Sequence, residues 1–263
     1  LDRLRYEFIL EPPGGGTRRT ATLELRPIRY QPRVRLILPV DGPAIVYDGH
    51  EFYSHHRRIL VTSPRATERG FTTNPVRYAY DFAPVGPNGE LARGPLTEPQ
   101  NWHAYGAIVR APAAGRVVSA ANGVADNKIV NGELTPPSDF PNDPQLQSLG
   151  NHVIIDHGNR EYSLLAHLLA GTVPVGEGDS VRPGQVVGKI GFSGDTGFHV
   201  HLHYNLVNGT TLRGSEGLPS YFTRFRRVRL PLGAGARGPV VARGRIDTGD
   251  IVESAAGAST RSP

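Results

Sequence analysis

Ten histidines are the residues best able to do chemistry in this chain of 263, and six of them lie between positions 152 and 203. The tightest group is His199-Val200-His201-Leu202-His203. On a β-strand, residues two apart point the same way. All three imidazoles are therefore expected on one face, within about 14 Å at roughly 3.4 Å per residue. Neutral imidazole is a common zinc ligand, and a chain without cysteine leaves His, Asp and Glu as its good donors. A catalytic zinc takes three protein ligands and keeps a position for water. One strand cannot supply three ligands at tetrahedral angles, so partners must come from elsewhere. Two candidates stand out: Asp81 in Arg77-Tyr78-Ala79-Tyr80-Asp81-Phe82-Ala83-Pro84, and His167 in Tyr162-Ser163-Leu164-Leu165-Ala166-His167-Leu168. An unpaired carboxylate between Tyr80 and Phe82 would be costly. A bound metal removes that cost.

The elements that must position these groups read as short strands. Gly and Pro make up 55 of the 263 residues, an excess that interrupts helices and suits many strands joined by turns. Strands are expected at Tyr6–Leu10, Ala21–Leu25 and Val34–Leu38, giving an N-terminal β segment over 1–40. A zinc-binding domain is expected over 41–235 and an irregular Gly/Ala/Arg/Pro-rich tail over 236–263. Residues 126–149 turn to Asn, Pro, Asp, Ser and Gln, which reads as a long exposed loop. Residues 150–206 are a dense series of strands at turn-signal spacing. His152 and His157, near turns in that series, are expected to be structural.

Composition also excludes several classes. Absent cysteines rule out disulfide scaffolds, thiolate metal sites and cysteine nucleophiles. No apolar run reaches the roughly 18 residues of a membrane helix. Net charge is +5, and residues 220–263 account for all of it, with eight Arg against Asp247, Asp250 and Glu253. No aromatic-plus-basic nucleic-acid motif accompanies that excess, and Arg224–Arg229 reads as the solvated face of a strand. The sequence opens at Leu1 without initiator methionine or signal peptide, as expected of a processed piece.

Residues 150–206 resemble the lysostaphin-type (LytM-like) zinc endopeptidases, which cut peptide cross-bridges in bacterial peptidoglycan. The pieces that carry the resemblance are Gly150–Gly158, Leu165-Ala166-His167-Leu168, Val175–Gly191 with its Gly-Asp-x-Val-x-x-Gly-Gln loop, and His201-Leu202-His203-Tyr204. Upstream, Val109–Val118 is similar to the family strand that follows the zinc aspartate. The resemblance implies that Asp81 and His203 bind zinc and that His167 and His201 are the catalytic pair. His199 has no family role. The family's usual first ligand, a histidine four residues before the aspartate, is Arg77 here, and arginine cannot ligate zinc. Variants with a Tyr-Ala-x-Asp-Phe core, similar to Tyr78–Phe82, take this ligand from further upstream. His55-His56 fits that place. Adjacent strand residues face opposite ways, so only one should reach the metal, and His56 is preferred to His55.

The resemblance implies an all-β fold, an antiparallel two-sheet core of the duplicated-hybrid-motif type with an N-terminal β extension. It implies one Zn²⁺ per chain and a secreted hydrolase at the bacterial cell envelope, extracellular or periplasmic. The substrate would be a peptide of peptidoglycan, held in a narrow groove walled by the 126–149 loop and Leu212–Phe222. Neither a nucleic acid nor a membrane span is expected. Loss of the histidine at position 77 leaves one alternative, an inactive relative that binds cell wall or activates another hydrolase. A lipoyl-like carrier is excluded, because Lys189 sits outside the hairpin tip.

Overall fold

A computed structural model describes residues 2–255. The chain divides after Gln31 into two compact units. The first is a hairpin of β1 (Leu4–Leu10) and β2 (Arg19–Leu25), paired antiparallel around the Pro/Gly turn. The second unit starts earlier than the 41 boundary expected from sequence. Leu36, Leu38 and Val40 are buried in its core, and Val34–Leu38 forms no strand but makes a single bridge from Leu36 to Phe222. Apolar spacing alone does not say which core a segment joins.

The second unit is built from β3 (Ala44–Asp48), β4 (Tyr80–Pro84), β5 (Ile108–Arg110), β6 (Gly115–Ala121), β7 (Lys128–Val130) and β8 (Glu133–Thr135). It continues with β9 (Asn151–Asp156), β10 (Tyr162–Leu168), β11 (Ser180–Val181), β12 (Val186–Lys189) and β13 (Leu202–Val207). The last strands are β14 (Gly217–Leu218), β15 (Phe222–Val228), β16 (Arg237–Gly244) and β17 (Ile251–Ser254). Among the described residues, helix is confined to α1 (Pro64–Glu68), α2 (Pro144–Leu149) and a 3-10 turn at Pro99–Asn101. The fold is all-β, and its strand pairings are antiparallel, as expected. Eleven strands join in the order β11-β6-β9-β10-β13-β4-β3-β17-β15-β16, with β14 on β13. Two-stranded pieces β12-β5 and β7-β8 complete the unit.

Period-two alternation sets the two faces of the central strands. Tyr80 and Phe82 of β4, with Leu202, Tyr204 and Leu206 of β13, pack into the core with Phe222 and Phe225. Asp81 and His203 therefore share the opposite side. Their strands are paired so that His203 stands directly across from Asp81.

Two expectations about irregular regions do not hold. The tail expected from 236 carries β16 and β17, and β17 is inserted between β3 and β15. Ile246 and Val252 are fully buried there. Glycine and arginine content hid two strands, β17 held by a neighbour on each side and β16 at the sheet edge against β15. Residues 256–263 lie outside the described part. The 126–149 stretch contains the β7-β8 hairpin and α2, capped by Asp143 accepting from the Gln145 and Leu146 amides. Most of 130–143 is nevertheless exposed or half-buried.

Candidate metal centre

Asp81 is the centre of the site. It is buried in β4, and three histidines from two segments reach its carboxylate. His203 Nδ1 lies 3.1 Å from Oδ1, His201 Nε2 lies 3.3 Å from the same oxygen, and His56 Nε2 lies 3.7 Å from Oδ2. Tetrahedral zinc with bonds of about 2.0–2.1 Å spaces its ligands about 3.3 Å apart. These donor separations suit one such ion. His167, His201 and His203 form one potential ligand group, and Asp48, His55, His56 and Asp81 form a second beside it.

The strand carrying His167 is shaped for the purpose. Register between β9 and β10 slips between Leu165 and Leu168, and His167 takes φ +64°, a left-handed backbone unusual for a side chain of this size. Such a conformation costs on the order of 1–3 kcal/mol and persists where neighbours fix it. Here the fixing is local. The Gly191 amide donates to the His167 carbonyl at 2.8 Å, and a Cβ on Gly191 would come within 2.5 Å of the Leu169 backbone. His167 Nδ1 donates to the Ser193 carbonyl at 2.9 Å. Ser193 in turn receives the Asn151 amide and donates to the Leu168 carbonyl. The imidazole is thus set in one tautomer, with Nε2 left for the site.

His201 is held in the same manner, its Nδ1 donating to the His199 carbonyl at 3.0 Å. The single-face expectation for 199, 201 and 203 needs correction. Strand β13 begins only at Leu202, so alternation covers neither His199 nor His201. Its ring packs instead on Tyr47, 4.3 Å between centroids, and edge-on to Trp102.

The His55/His56 choice is also decided by something other than strand alternation, because both lie in turns. Both Nδ1 atoms reach one oxygen, Asp48 Oδ2, at 3.0 Å and 2.7 Å. His56 is buried and faces Asp81, whereas the His55 side chain is 62% exposed. Arg77 points away, in an ion pair with Glu216. His152 and His157 tie strands together through the Gly150 carbonyl and Ser119, and through the Ala114 carbonyl and Ser163.

Burial and charge act against each other throughout. Desolvation would raise the Asp81 carboxyl, but His201 and His56 outweigh it and hold it well below the usual carboxylate range. Burial pushes His167 well below the usual imidazole value, and the nearby His201 and His203 add to that. Burial also lowers His203. His201 is raised, since Asp81 overcomes its desolvation.

The cluster opens into a groove of about 590 Å³. Its walls include Ile59, Leu60, Phe71, Leu149 and Leu212, with the Arg69–Asp195 ion pair at 2.8 Å. Of the walls expected from sequence, Leu212 and the end of α2 contribute, while the β7-β8 hairpin does not. Asp48, Ser193 and the 59–71 wall carry no motif. Asp48 in Tyr47-Asp48-Gly49 reads as an ordinary turn residue.

Residues 102–213 match the sequence model of peptidase family M23. Over these residues the chain is similar to the M23 peptidases. The matched span contains His167, His201 and His203, while Asp48, His56 and Asp81 lie upstream of it. No curated protein sequence matches the chain significantly. Similar solved structures include a zinc-containing peptidase from Vibrio cholerae, 18% identical, covering 70% of this chain and 39% of that one at a TM-score of 0.38. The catalytic domain of the M23 protein EnpA from Enterococcus faecalis is 21% identical, with coverages of 45% and 75% and a TM-score of 0.28. Lysostaphin from Staphylococcus simulans is 15% identical, with coverages of 61% and 76% and a TM-score of 0.27. The M23 match supports a peptidase. Among the described residues, no helix is long and apolar enough to cross a membrane.

Proposed function

We propose that this chain is a zinc-dependent endopeptidase acting on stem peptides or cross-links of bacterial peptidoglycan, and thus working outside the cytoplasmic membrane, extracellularly or in the periplasm. One observation carries the reading: His56 from one segment and the His201/His203 pair from another converge on the buried Asp81 carboxylate of β4. His56, Asp81 and His203 would hold the ion. Zinc bound there would supply Lewis-acid polarisation of a peptide carbonyl and a water acidified to near neutrality.

The rest is done by side chains. His167 and His201, each fixed through Nδ1 by a backbone carbonyl, present Nε2 to the reacting group. One takes the proton of the attacking water and passes it to the leaving amine. The other donates to the oxygen that gains negative charge. The groove positions an extended peptide over them.

One observation favours a second reading, an inactive M23-like domain that binds cell wall or activates a hydrolase. Arg77 occupies the usual first-ligand position and is committed to Glu216. Metal analysis and turnover of purified peptidoglycan separate the two. The enzyme takes up about one zinc per chain and releases new amino groups, a chelator stops it, and zinc restores it. A chain with neither zinc nor amine release overturns the enzyme reading.

A further inference from the structure

Asp48 ends β3 and is buried. Its Oδ2 gathers four donors: Ser54 Oγ at 2.6 Å, His56 Nδ1 at 2.7 Å, His55 Nδ1 at 3.0 Å and the His56 amide at 3.3 Å. Across the sheet Asp48 pairs with Asp81, where the β3-β4 register shifts between Val46 and Asp48. One imidazole, His56, therefore bridges two buried carboxylates, with Nδ1 on Asp48 and Nε2 toward Asp81.

We propose that Asp48 is the positioning residue that makes His56 a metal ligand, in place of a histidine at position 77. This rests on the reading of His56 as a ligand. The contact from Nδ1 to Asp48 is short but bent. Even so, a lone pair at 2.7 Å from a carboxylate oxygen would be repelled, so Nδ1 carries the hydrogen. Nε2 then keeps its lone pair facing Asp81. A carboxylate behind a metal-bound histidine fixes the tautomer, orients the ring and makes the nitrogen more basic. A turn such as 51–58 has no ladder to hold its side chains. Asp48 provides the anchor instead, taking the Ser54 hydroxyl and the His56 amide along with the ring. Two turn residues are thereby tied to the end of a sheet strand.

Competition between the full-length protein and a chromophoric chelator measures zinc affinity directly. Asp48→Asn and Asp48→Ala are expected to weaken zinc 10–100-fold, the usual worth of such a partner. His55→Ala is expected to cost less than Asp48→Asn. Nitrogen chemical shifts of the zinc-free protein should show His56 protonated on Nδ1, and a tautomer mixture in Asp48→Asn. If Asp48→Ala fails to fold, Asp48→Asn, which keeps the size and the Ser54 bond, decides. Asp48→Asn with unchanged affinity and unchanged tautomer overturns the proposal, as does a His55→Ala loss equal to that of Asp48→Asn. Failure of the unaltered protein to take up zinc overturns the metal reading, while the tautomer measurement still tests the link from Asp48 to His56.

Discussion

His203 and Asp81 are cross-strand partners, directly opposed on β13 and β4, with Nδ1 3.1 Å from Oδ1. Two sheet strands thus fix these two side chains against each other. His203→Ala is therefore expected to lose zinc, measured by metal analysis, and with it any hydrolysis of cross-linked peptidoglycan.

His167 comes from the bulged strand β10 and is anchored on Ser193, not on Asp81. His167→Ala should keep its zinc while kcat falls about 10²–10⁴-fold, the range for a positioned acid–base group. His201→Ala should behave in the same way. Geometry alone does not separate His201 from His203, since both lie within 3.3 Å of Asp81 Oδ1. An empty metal site in His167→Ala or His201→Ala would reassign that residue as a ligand.

Arg77 has its guanidinium on Glu216. Removing it deletes a half-exposed ion pair worth about 0–1 kcal/mol. Arg77→Ala should leave zinc content unchanged, and metal loss on that substitution would place position 77 back in the site.

His50 is buried against Tyr78, Tyr80 and Tyr221, and neither ring nitrogen has a hydrogen-bond partner. Burial, then Arg245 and Arg57, pull its pKa down to about 4. Between that value and about 6.5, its ordinary value, the unfolded chain binds a proton that the folded chain refuses. The associated stability is present above about pH 6.5 and is lost as pH falls toward 4, by at most roughly 3 kcal/mol. His50→Phe, which keeps the aromatic stacking, should show a flatter dependence of unfolding midpoint on pH between 7 and 4.5. Equal slopes for the two proteins would show that another group is responsible.

Ile246 is fully buried between β16 and β17. Ile246→Ala should lower stability by roughly 2–5 kcal/mol in denaturant titration. An irregular tail would tolerate the change. Limited proteolysis should cut the exposed stretch between β7 and α2 before it cuts 150–206.

Sequence alone pointed to metal chemistry and to its candidate carriers. Spacing of the histidines, the apolar setting of Asp81 and the ordered motifs of 150–206 are local patterns, and local patterns survive in one dimension. The all-β class followed from the same source, as Gly and Pro exclude long helices wherever they occur. Strand pairing decided what remained. A turn after β3 folds both His55 and His56 back onto Asp48, and it buries His56 against Asp81 while leaving His55 exposed, a contact that no periodicity encodes. His199 packs on Tyr47 at the groove wall instead of reaching Asp81. Arg237–Ser254 became strands because β17 found open edges on β3 and β15, and an edge exists only once the sheet is assembled. Asp48 looked like a turn residue until the sheet set it opposite Asp81.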